Sequence, residues 1–275
     1  MKLPNLSFLA TVGQLRCIQA RYERGPLRNP DTFAAPLLSF PARVGYHVRG
    51  LFLRSRLHGD PFYAYLVART KHYDQVFLDA ISEPVRAIAN VGTGSDTRAY
   101  RFAELLRRQS IAVLECDQAE AIRAKERIVR RRWRADHVSF QPIELNVPGW
   151  PALEQWLVER RAGPALVMLE GVSPYVTSSS FEAFLRMLAA TLHPQSTLAY
   201  DYKVAGVDEQ FGKSERTLAP FRLSRSRDDV HAFHRKLGFH ARYVETSEEL
   251  CARALPPGTL PFREDGLVVL GLAEA

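Results

Sequence analysis

The hydrophobic and polar positions of this chain fall into short apolar runs separated by stretches with helical spacing. The apolar runs predict buried strands, because they are short and are bounded by glycine, proline or polar residues. The predicted strands are Ile88–Val91, Ile111–Asp117, Val138–Leu145, Ala165–Leu169, Ser196–Tyr202, Ala241–Glu245 and Leu267–Ala273. Buried strands that alternate with helices indicate a parallel sheet covered on both faces.

Helical spacing predicts most of the segments before and between the strands. Before the sheet we expect a helix over Ser7–Glu23, short helical pieces over Pro36–Asp60, and a long helix over Pro61–Ile81 capped by Asp60. After the first strand we expect a helix that ends at about Arg108, and later a helix over Ala119–Arg134. Two further predicted helices end at glycines: Ala152–Arg161 is closed by Gly163, and Asp228–Leu237 is closed by Gly238. Between them, Ser178–Ser180 is predicted to cap the start of another helix. The polar, weakly patterned segment Gly206–Arg227 predicts an inserted loop or lid over a substrate.

Length and composition narrow the class of protein. The chain has 275 residues, 46% of them hydrophobic, which is enough for one sizeable α/β domain. It contains no run of about 18 apolar residues, and its N-terminus lacks the basic and then apolar segments of a signal peptide. We therefore expect a cytoplasmic protein with no membrane partner.

Cysteines and charge exclude other chemistries. Cys17, Cys116 and Cys251 are far apart and lack metal-ligand spacing, so we expect packed thiols and no disulfide, zinc or redox chemistry. The formal net charge of +7 is modest for this length and does not require a nucleic-acid partner. The arginine-rich helix Ala119–Arg134 is typical of a solvated face, with a phosphate or acidic-partner site as the alternative.

A glycine turn, Gly92-Thr93-Gly94, follows the first predicted strand. Its glycines permit positive φ and let the backbone approach a ligand at the carboxyl end of the strand. A dinucleotide site would have a third glycine and an uncharged helix start for the pyrophosphate. Here Asp96 stands instead, and its carboxylate suits a ligand with an ammonium or sulfonium group, such as S-adenosylmethionine (SAM). A plain strand-to-helix turn is the alternative.

Acidic residues stand at the ends of three later predicted strands, namely Asp117, Glu144 and Glu170. Asp117 follows Gly92 by 25 residues, near the offset at which a carboxylate accepts hydrogen bonds from ribose hydroxyls. Glu144 offers an acceptor for the exocyclic amine of adenine. The carboxyl ends of parallel strands share one edge, so we expect these groups to converge there. For Asp117 and Glu144 the alternative is an acid in solvent.

Several of these residues occur in the order and spacing of one family. The matching segments are Arg69-Thr70 with Asp74, Gly92 and Gly94 with Asp96-Thr97-Arg98, Glu115-Cys116-Asp117 with Lys125, Glu144-Leu145, and Glu170-Gly171 with Tyr175. Over roughly residues 10–205 the chain resembles the leucine carboxyl methyltransferase family and its bacterial small-molecule relatives.

The resemblance implies a class I SAM-dependent methyltransferase. Such a protein has a Rossmann-like α/β fold, with a seven-stranded, mostly parallel sheet whose last strand is antiparallel, helices on both faces and an N-terminal helical extension. We accordingly expect one domain over 1–275, with a helical cap over 1–84, a core over 85–275 and a substrate insertion at about 204–230.

The resemblance also implies cofactor contacts for particular residues. Arg69 pairs with the SAM carboxylate, while Gly92 and Gly94 line its methionine part. Asp117 holds the ribose hydroxyls.

At the remaining strand ends, Glu144 stands where the family has an aspartate contacting the adenine amine, with the amide of Leu145 beside it. Glu170 lies close to the ammonium or sulfonium end. Asp96 completes the predicted cofactor residues.

The expected activity is transfer of a methyl group from SAM to an oxygen of a small-molecule acceptor in secondary metabolism. We expect a carboxylate acceptor that yields a methyl ester, with a phenol or alcohol as the alternative. A carboxylate is ionised at neutral pH and needs no general base, so no catalytic residue is assigned. Tyr175, Tyr202 and Arg222 are candidate substrate residues, with packing or surface roles as the alternative.

More distant alternatives are an NAD-dependent oxidoreductase and a non-catalytic RNA-binding protein that uses the arginine-rich helix. The identity of the methyl acceptor stays open at this point; an acidic acceptor and one tethered to a carrier are both compatible with the sequence. The sequence does not fix the oligomeric state.

Overall fold

The computed structural model describes residues 11–214 and 217–273. The start of the first predicted helix, at Ser7, and residues 215–216 of the predicted insertion lie outside the described residues. The described chain forms two compact units, the first made of 11–76, 95–101 and 247–263, the second of 77–94, 102–214, 217–246 and 264–273. The predicted single domain with its cap and core boundaries stays a prediction.

Helices account for much of both units. In chain order they are α1 (Val12–Tyr22), α2 (Phe40–Phe52), α3 (Arg54–Leu57), α4 (Pro61–Ser82), α5 (Arg98–Arg101), α6 (Ala103–Arg108), α7 (Ala119–Arg132), α8 (Pro151–Val158), α9 (Ser178–Thr191), α10 (Arg227–Arg235) and α11 (Ser247–Ala254). Short 3₁₀ turns occur at Gly25–Leu27, Ala35–Leu37 and Ser173–Tyr175. No helix among the described residues is long and apolar enough to cross a membrane.

Local capping explains where several helices begin and end. Asp60 Oδ1 accepts a hydrogen bond from the Phe62 N–H at 3.0 Å, and Pro61 takes the first helical position of α4, as predicted. α10 ends at Arg235, before the predicted Leu237, and Gly238, at φ +86°, closes the turn that follows by donating its N–H to the Arg235 carbonyl at 3.2 Å. The predicted stop at Gly163 was wrong, because α8 already ends at Val158.

Two further helix predictions need correction. The hydroxyl of Thr177, not the Ser178–Ser180 segment, caps α9, since it accepts from the Ser180 N–H at 3.2 Å. The sequence pattern gave no element for Ser247–Ala254, where the structure has α11. Its buried face is only Ser247, Leu250 and Cys251, too short a stripe to stand out.

All strands of the described residues belong to the second unit. They are β1 (Ala87–Val91), β2 (Ala112–Asp117), β3 (Val138–Pro142), β4 (Ala165–Leu169), β5 (Thr197–Val204), β6 (Arg222–Leu223), β7 (Phe239–Thr246) and β8 (Asp265–Leu272). Their order is β3-β2-β1-β4-β5-β8-β7, with β6 pairing on β5. Among the described strands only β8 points opposite to the others, so the predicted mostly parallel sheet with an antiparallel last strand is confirmed.

The sheet has eight strands, and the predicted count of seven was wrong. The additional strand, β6, is two residues long and pairs Arg222 with Lys203 and Leu223 with Val204. Two residues cannot show alternation, so sequence patterning placed them in a loop.

The core of the second unit lies between the sheet and its flanking helices. The predicted apolar face of α9 is fully buried there, through Phe181, Phe184, Leu185 and Leu188. In the first unit, Leu15, Ile18, Tyr46, Tyr63 and Leu66 form a separate core cluster. The three cysteines are buried free thiols, as predicted.

Candidate cofactor site

A cavity of about 560 Å³ opens at the carboxyl ends of the parallel strands in the second unit. Its lining residues come from the turns after β1, β2, β3 and β4 and from the segment after β5. They are Gly92, Asp117, Gln118, Ile143, Glu144, Leu145, Asn146, Gly171, Val172, Tyr175, Val176, Gly212, Lys213, Ser214 and Thr217. Five residues predicted for the site, namely Gly92, Asp117, Glu144, Leu145 and Tyr175, therefore share one cavity.

Gly92 forms the bend at the end of β1. Its φ is +70°, and a Cβ at this position would lie 2.3 Å from Cγ2 of Val172. Only glycine fits here without strain, because other residues avoid this φ and because Val172 occupies the space that a Cβ would need. The turn after β1 thus packs directly against the turn after β4.

Asp117 is the last residue of β2, and its carboxylate is held by backbone amides. Oδ2 accepts from the Gly94 N–H at 2.7 Å, and Oδ1 accepts from the Gln118 N–H at 2.8 Å. These bonds fix the orientation of the carboxylate at the cavity while each oxygen keeps a further lone pair. The arrangement suits a ligand that presents hydroxyl donors.

Glu144 lies just beyond β3, in a short loop. β3 ends at Pro142, earlier than the predicted Leu145, because its partner β2 ends at Asp117 and pairing stops there. The Glu144 carboxylate accepts from Gln118 Nε2 at 3.1 Å and from the Asn146 N–H at 3.2 Å. Ile143, Leu145, Val172 and Val176 supply apolar wall next to these acids.

Asn146 joins three parts of the cavity wall, a role that sequence reasoning missed. Its Nδ2 donates to the Tyr175 carbonyl at 2.9 Å, and its Oδ1 accepts from the Thr177 N–H at 2.8 Å. Nδ2 also contacts the hydroxyl of Thr217 at 3.4 Å. The asparagine stands in the segment Glu144-Leu145-Asn146, but a single amide gives no sequence signal of bridging.

The segment after β5, which we call the lid, lines one side of the cavity through Gly212 and Lys213, and its predicted position over a substrate stays a prediction. Gly212 lies so close to Pro174 that a Cβ there would be 1.8 Å from the proline carbonyl oxygen. The guanidinium of Arg222 donates to the carbonyls of Val207, Asp208 and Phe211, at 3.3, 2.9 and 2.8 Å. Arg222, predicted to bind substrate, thus holds the lid in the described structure, and its substrate role stays a prediction.

A buried ion pair, Lys125 with Glu115, is hydrogen-bonded to the glycine turn. Lys125 Nζ lies 3.0 Å from Glu115 Oε2 and donates to the Thr93 hydroxyl at 2.6 Å. Lysine and glutamate are both buried, so each compensates the charge of the other in a low-dielectric region. The pair links α7 and β2 to the turn that contains Gly92 and Gly94.

Besides Arg222, three predicted residues of the second unit do not line this cavity. Gly94 lies behind it as the donor to Asp117. Glu170 is half-buried and precedes Gly171, whose N–H donates to Asp201 Oδ1 at 2.6 Å. Tyr202 is buried against Gly266, and burial raises the pKa of its hydroxyl to about 12.

Arg69 and Asp96 belong to the first unit. Arg69 is buried, with its guanidinium 5.7 Å from the centre of the Tyr65 ring. Asp96 accepts from the Arg98 backbone N–H at 2.7 Å and from Arg98 Nη1 at 2.5 Å. Arg98 is fully buried and also binds Asp74 at 2.7 Å. Asp96 therefore has a clear packing role, and cofactor contacts for Arg69 and Asp96 stay predictions.

Together, a mostly parallel sheet of this strand order and a cavity at the carboxyl ends of its strands are the arrangement of the class I methyltransferase fold. A family model for leucine carboxyl methyltransferase matches residues 14–189. The chain belongs to this family.

Relatives with similar sequences agree with this assignment. A protein of Mycobacterium marinum, predicted to be a SAM-dependent methyltransferase, is 26% identical over 190 residues, covering 65% of this chain and 60% of that protein. A similarly named protein of Streptomyces coelicolor is 24% identical over 73% of this chain and 71% of its own length. The chain thus spans about three fifths of the length of the first of these relatives.

Among solved structures, a protein of Galdieria sulphuraria, predicted to be a sarcosine dimethylglycine methyltransferase, has a TM-score of 0.50. It is 10% identical, and the match covers 78% of this chain and 88% of that chain. At this identity the likeness concerns the fold alone.

Proposed function

We propose that this chain is a SAM-dependent O-methyltransferase that methylates a small-molecule carboxylate to a methyl ester. One observation carries the proposal: the Asp117 carboxylate faces a cavity at the carboxyl ends of the parallel strands, and the turn amide of Gly94 holds it there. A carboxylate in this position is suited to ribose hydroxyls. Family membership and the names of the relatives support SAM as the ligand.

The residues present fit the proposed cofactor. A cavity of about 560 Å³ lies within the usual range for small-ligand sites, about 300–1,000 Å³. Its lining combines acids for the ribose and the adenine amine with apolar side chains, including Ile143 and Leu145, for the flat base. The Gly92 bend allows close backbone approach.

A nicotinamide dinucleotide fits less well. Its pyrophosphate would need free amide donors at the glycine turn. Here the Gly94 N–H is bound to the Asp117 carboxylate, and that negative charge would repel a phosphate at the same place.

When bound, SAM supplies an electrophilic methyl group on a sulfonium. We assign the chain's own residues as follows. Asp117 accepts hydrogen bonds from the ribose hydroxyls, and Glu144 accepts from the adenine amine beside the Leu145 amide. Glu170 lies toward the positively charged end, while Arg69 is assigned to the cofactor carboxylate by the family resemblance alone.

The lid residues exclude water and orient the acceptor. Methyl transfer gains rate when the acceptor oxygen is held about 3–3.5 Å from the methyl carbon in a dry site. Lys213 lines the cavity and offers a cation for an acidic acceptor. A carboxylate acceptor needs no proton removed. His234 is an unsuitable base because it is fully buried and hydrogen-bonded to Tyr200 at 2.6 Å.

The test is a methyl-transfer assay with radiolabelled SAM against matched panels of carboxylic acids, phenols and alcohols. We expect base-labile label, as for a methyl ester, with at least one acid. Stable label on a phenol or alcohol would move the assignment to the alternative acceptor class. Saturable SAM binding without turnover on any panel member would remove the proposal of catalysis on small oxygen acceptors.

A further inference from the structure

The first unit carries an exposed apolar face on α2. Five large apolar side chains of this one helix are exposed, namely Phe40 (71%), Val44 (48%), Val48 (49%), Leu51 (63%) and Phe52 (76%). Their spacing of four, four, three and one residues puts them on one side of the helix. We call this set the α2 apolar face. Exposed side chains of this size and continuity usually mark an interaction site.

The opposite side of α2 fixes its orientation. Tyr46 and Gly50 are buried, and a Cβ at Gly50 would lie 2.3 Å from the Tyr22 ring. The Tyr22 hydroxyl is hydrogen-bonded to His47 Nδ1 at 2.6 Å. Because α2 packs this closely on α1, the packing inside the first unit fixes which side of α2 faces outward.

The chain segment that contains α2 carries arginines but no acidic residues. Residues 32–59 contain Arg43, Arg49, Arg54 and Arg56 but no aspartate or glutamate. Arg54 and Arg56, directly after α2, are exposed. Arg54 also lies 3.9 Å from the carboxylate of Glu23, but that carboxylate is buried while the arginine keeps 45% of its side chain exposed. Exposed apolar side chains bordered by exposed arginines are the pattern of helices that lie in the interface of an anionic membrane.

We propose that the α2 apolar face docks on an anionic lipid bilayer, with Phe40, Leu51 and Phe52 entering the headgroup and acyl boundary. The flanking arginines bind lipid phosphates. A second copy of the chain fits less well, because a symmetric contact would bring the same arginines together. This inference is independent of the proposed function and differs from the expectation, drawn from sequence alone, that the protein has no membrane partner.

The test is co-sedimentation with vesicles, using the full chain. Vesicles of phosphatidylcholine alone are compared with vesicles of equal parts phosphatidylcholine and phosphatidylglycerol. We expect binding to the anionic vesicles only, weakened roughly fivefold by each of the substitutions Arg54→Gln and Arg56→Gln. The double variant Leu51→Ser/Phe52→Ser should lose at least about tenfold in binding.

The matched control is Leu218→Ser, which removes a leucine of 77% exposure from the second unit and should bind vesicles like the unchanged protein. Circular dichroism melting checks that every variant is folded. Absence of binding to anionic vesicles, or equal binding by the Leu51/Phe52 variant, overturns the proposal. A dimer in sedimentation velocity that this variant abolishes would identify a second copy as the occupant and also overturn it.

Discussion

The backbone N–H of Gly94 donates to Oδ2 of Asp117 across 2.7 Å, which joins the turn after β1 to the end of β2. The bond sets the direction of the carboxylate at the edge where the parallel strands end. It also uses the amide that a phosphate would need, so the same contact favours a hydroxyl-bearing ligand and disfavours a pyrophosphate.

The first prediction concerns this carboxylate. Replacement Asp117→Ala should weaken SAM binding by about 1.5–3 kcal/mol, because charge-assisted hydrogen bonds to the ribose are lost. Isothermal titration calorimetry measures the change. The control Glu182→Gln alters a half-buried acid of α9, paired only with Arg186 in the described contacts, and should leave affinity unchanged. Equal affinity in the Asp117 variant would show that the ribose lies elsewhere.

The second prediction compares the two glycines of the turn. Gly94→Ala should cost about 1–2 kcal/mol of unfolding free energy, since its φ of +44° is unfavourable but its surroundings are open. Gly92→Ala should cost about 1–3 kcal/mol more, because the new Cβ meets Val172. Denaturant unfolding gives both values. Adding Val172→Ala to Gly92→Ala should recover part of the loss, and no recovery would contradict the packing argument.

The third prediction concerns the lid. Arg222→Ala removes the side chain that binds the carbonyls of Val207, Asp208 and Phe211. Amide hydrogen exchange in residues 205–214 should accelerate by about tenfold or more, while the sheet keeps its protection. Arg186→Ala, on the surface of α9, serves as the control and should not change exchange in the lid. Unchanged exchange after Arg222→Ala would mean that other contacts hold this segment.

The fourth prediction is a pH dependence of stability. Burial lowers the pKa of His234 from 6.5 to about 4. Its Nδ1 lies 2.6 Å from the Val230 carbonyl, which can only accept, so Nδ1 carries the proton and Nε2 accepts from the Tyr200 hydroxyl. The unfolded state therefore binds more protons between pH 6.5 and about pH 4.

Stability from His234 is fully present above pH 6.5 and is lost as the pH falls toward about 4, at up to about 1.4 kcal/mol per pH unit. Denaturant unfolding across this range measures the slope. His234→Gln cannot titrate and should reduce the slope by this amount. An identical slope in the variant would assign the acid sensitivity to other groups.

Sequence patterning predicted the parts of the fold that depend on local periodicity. The apolar runs located β1, β2, β4 and β5 closely, and the order of strands and helices predicted a mostly parallel sheet. The position of Asp117 followed from its distance along the chain to Gly92, because a strand, a helix and a strand bring these ends together. These features follow from local sequence patterns and from the regular alternation of strands and helices.

The remaining features depend on partners far apart in sequence. Asn146 binds the Tyr175 carbonyl and the Thr177 N–H, and Asp201 binds the Gly171 N–H, but neither residue stands in a recognisable motif. The two residues of β6 are strand only because β5 extends beside them. Asp96 was predicted from its charge, and its buried partner Arg98 could be identified only in the folded chain.

The most direct measurement is a crystal structure of this chain with S-adenosylhomocysteine. The proposed cofactor role of Asp117 requires the ribose hydroxyls to lie within about 2.5–3.0 Å of its carboxylate, with adenine between the apolar walls near Leu145. A ligand bound away from the carboxyl ends of β1 and β2, or a ribose that does not contact Asp117, would contradict it.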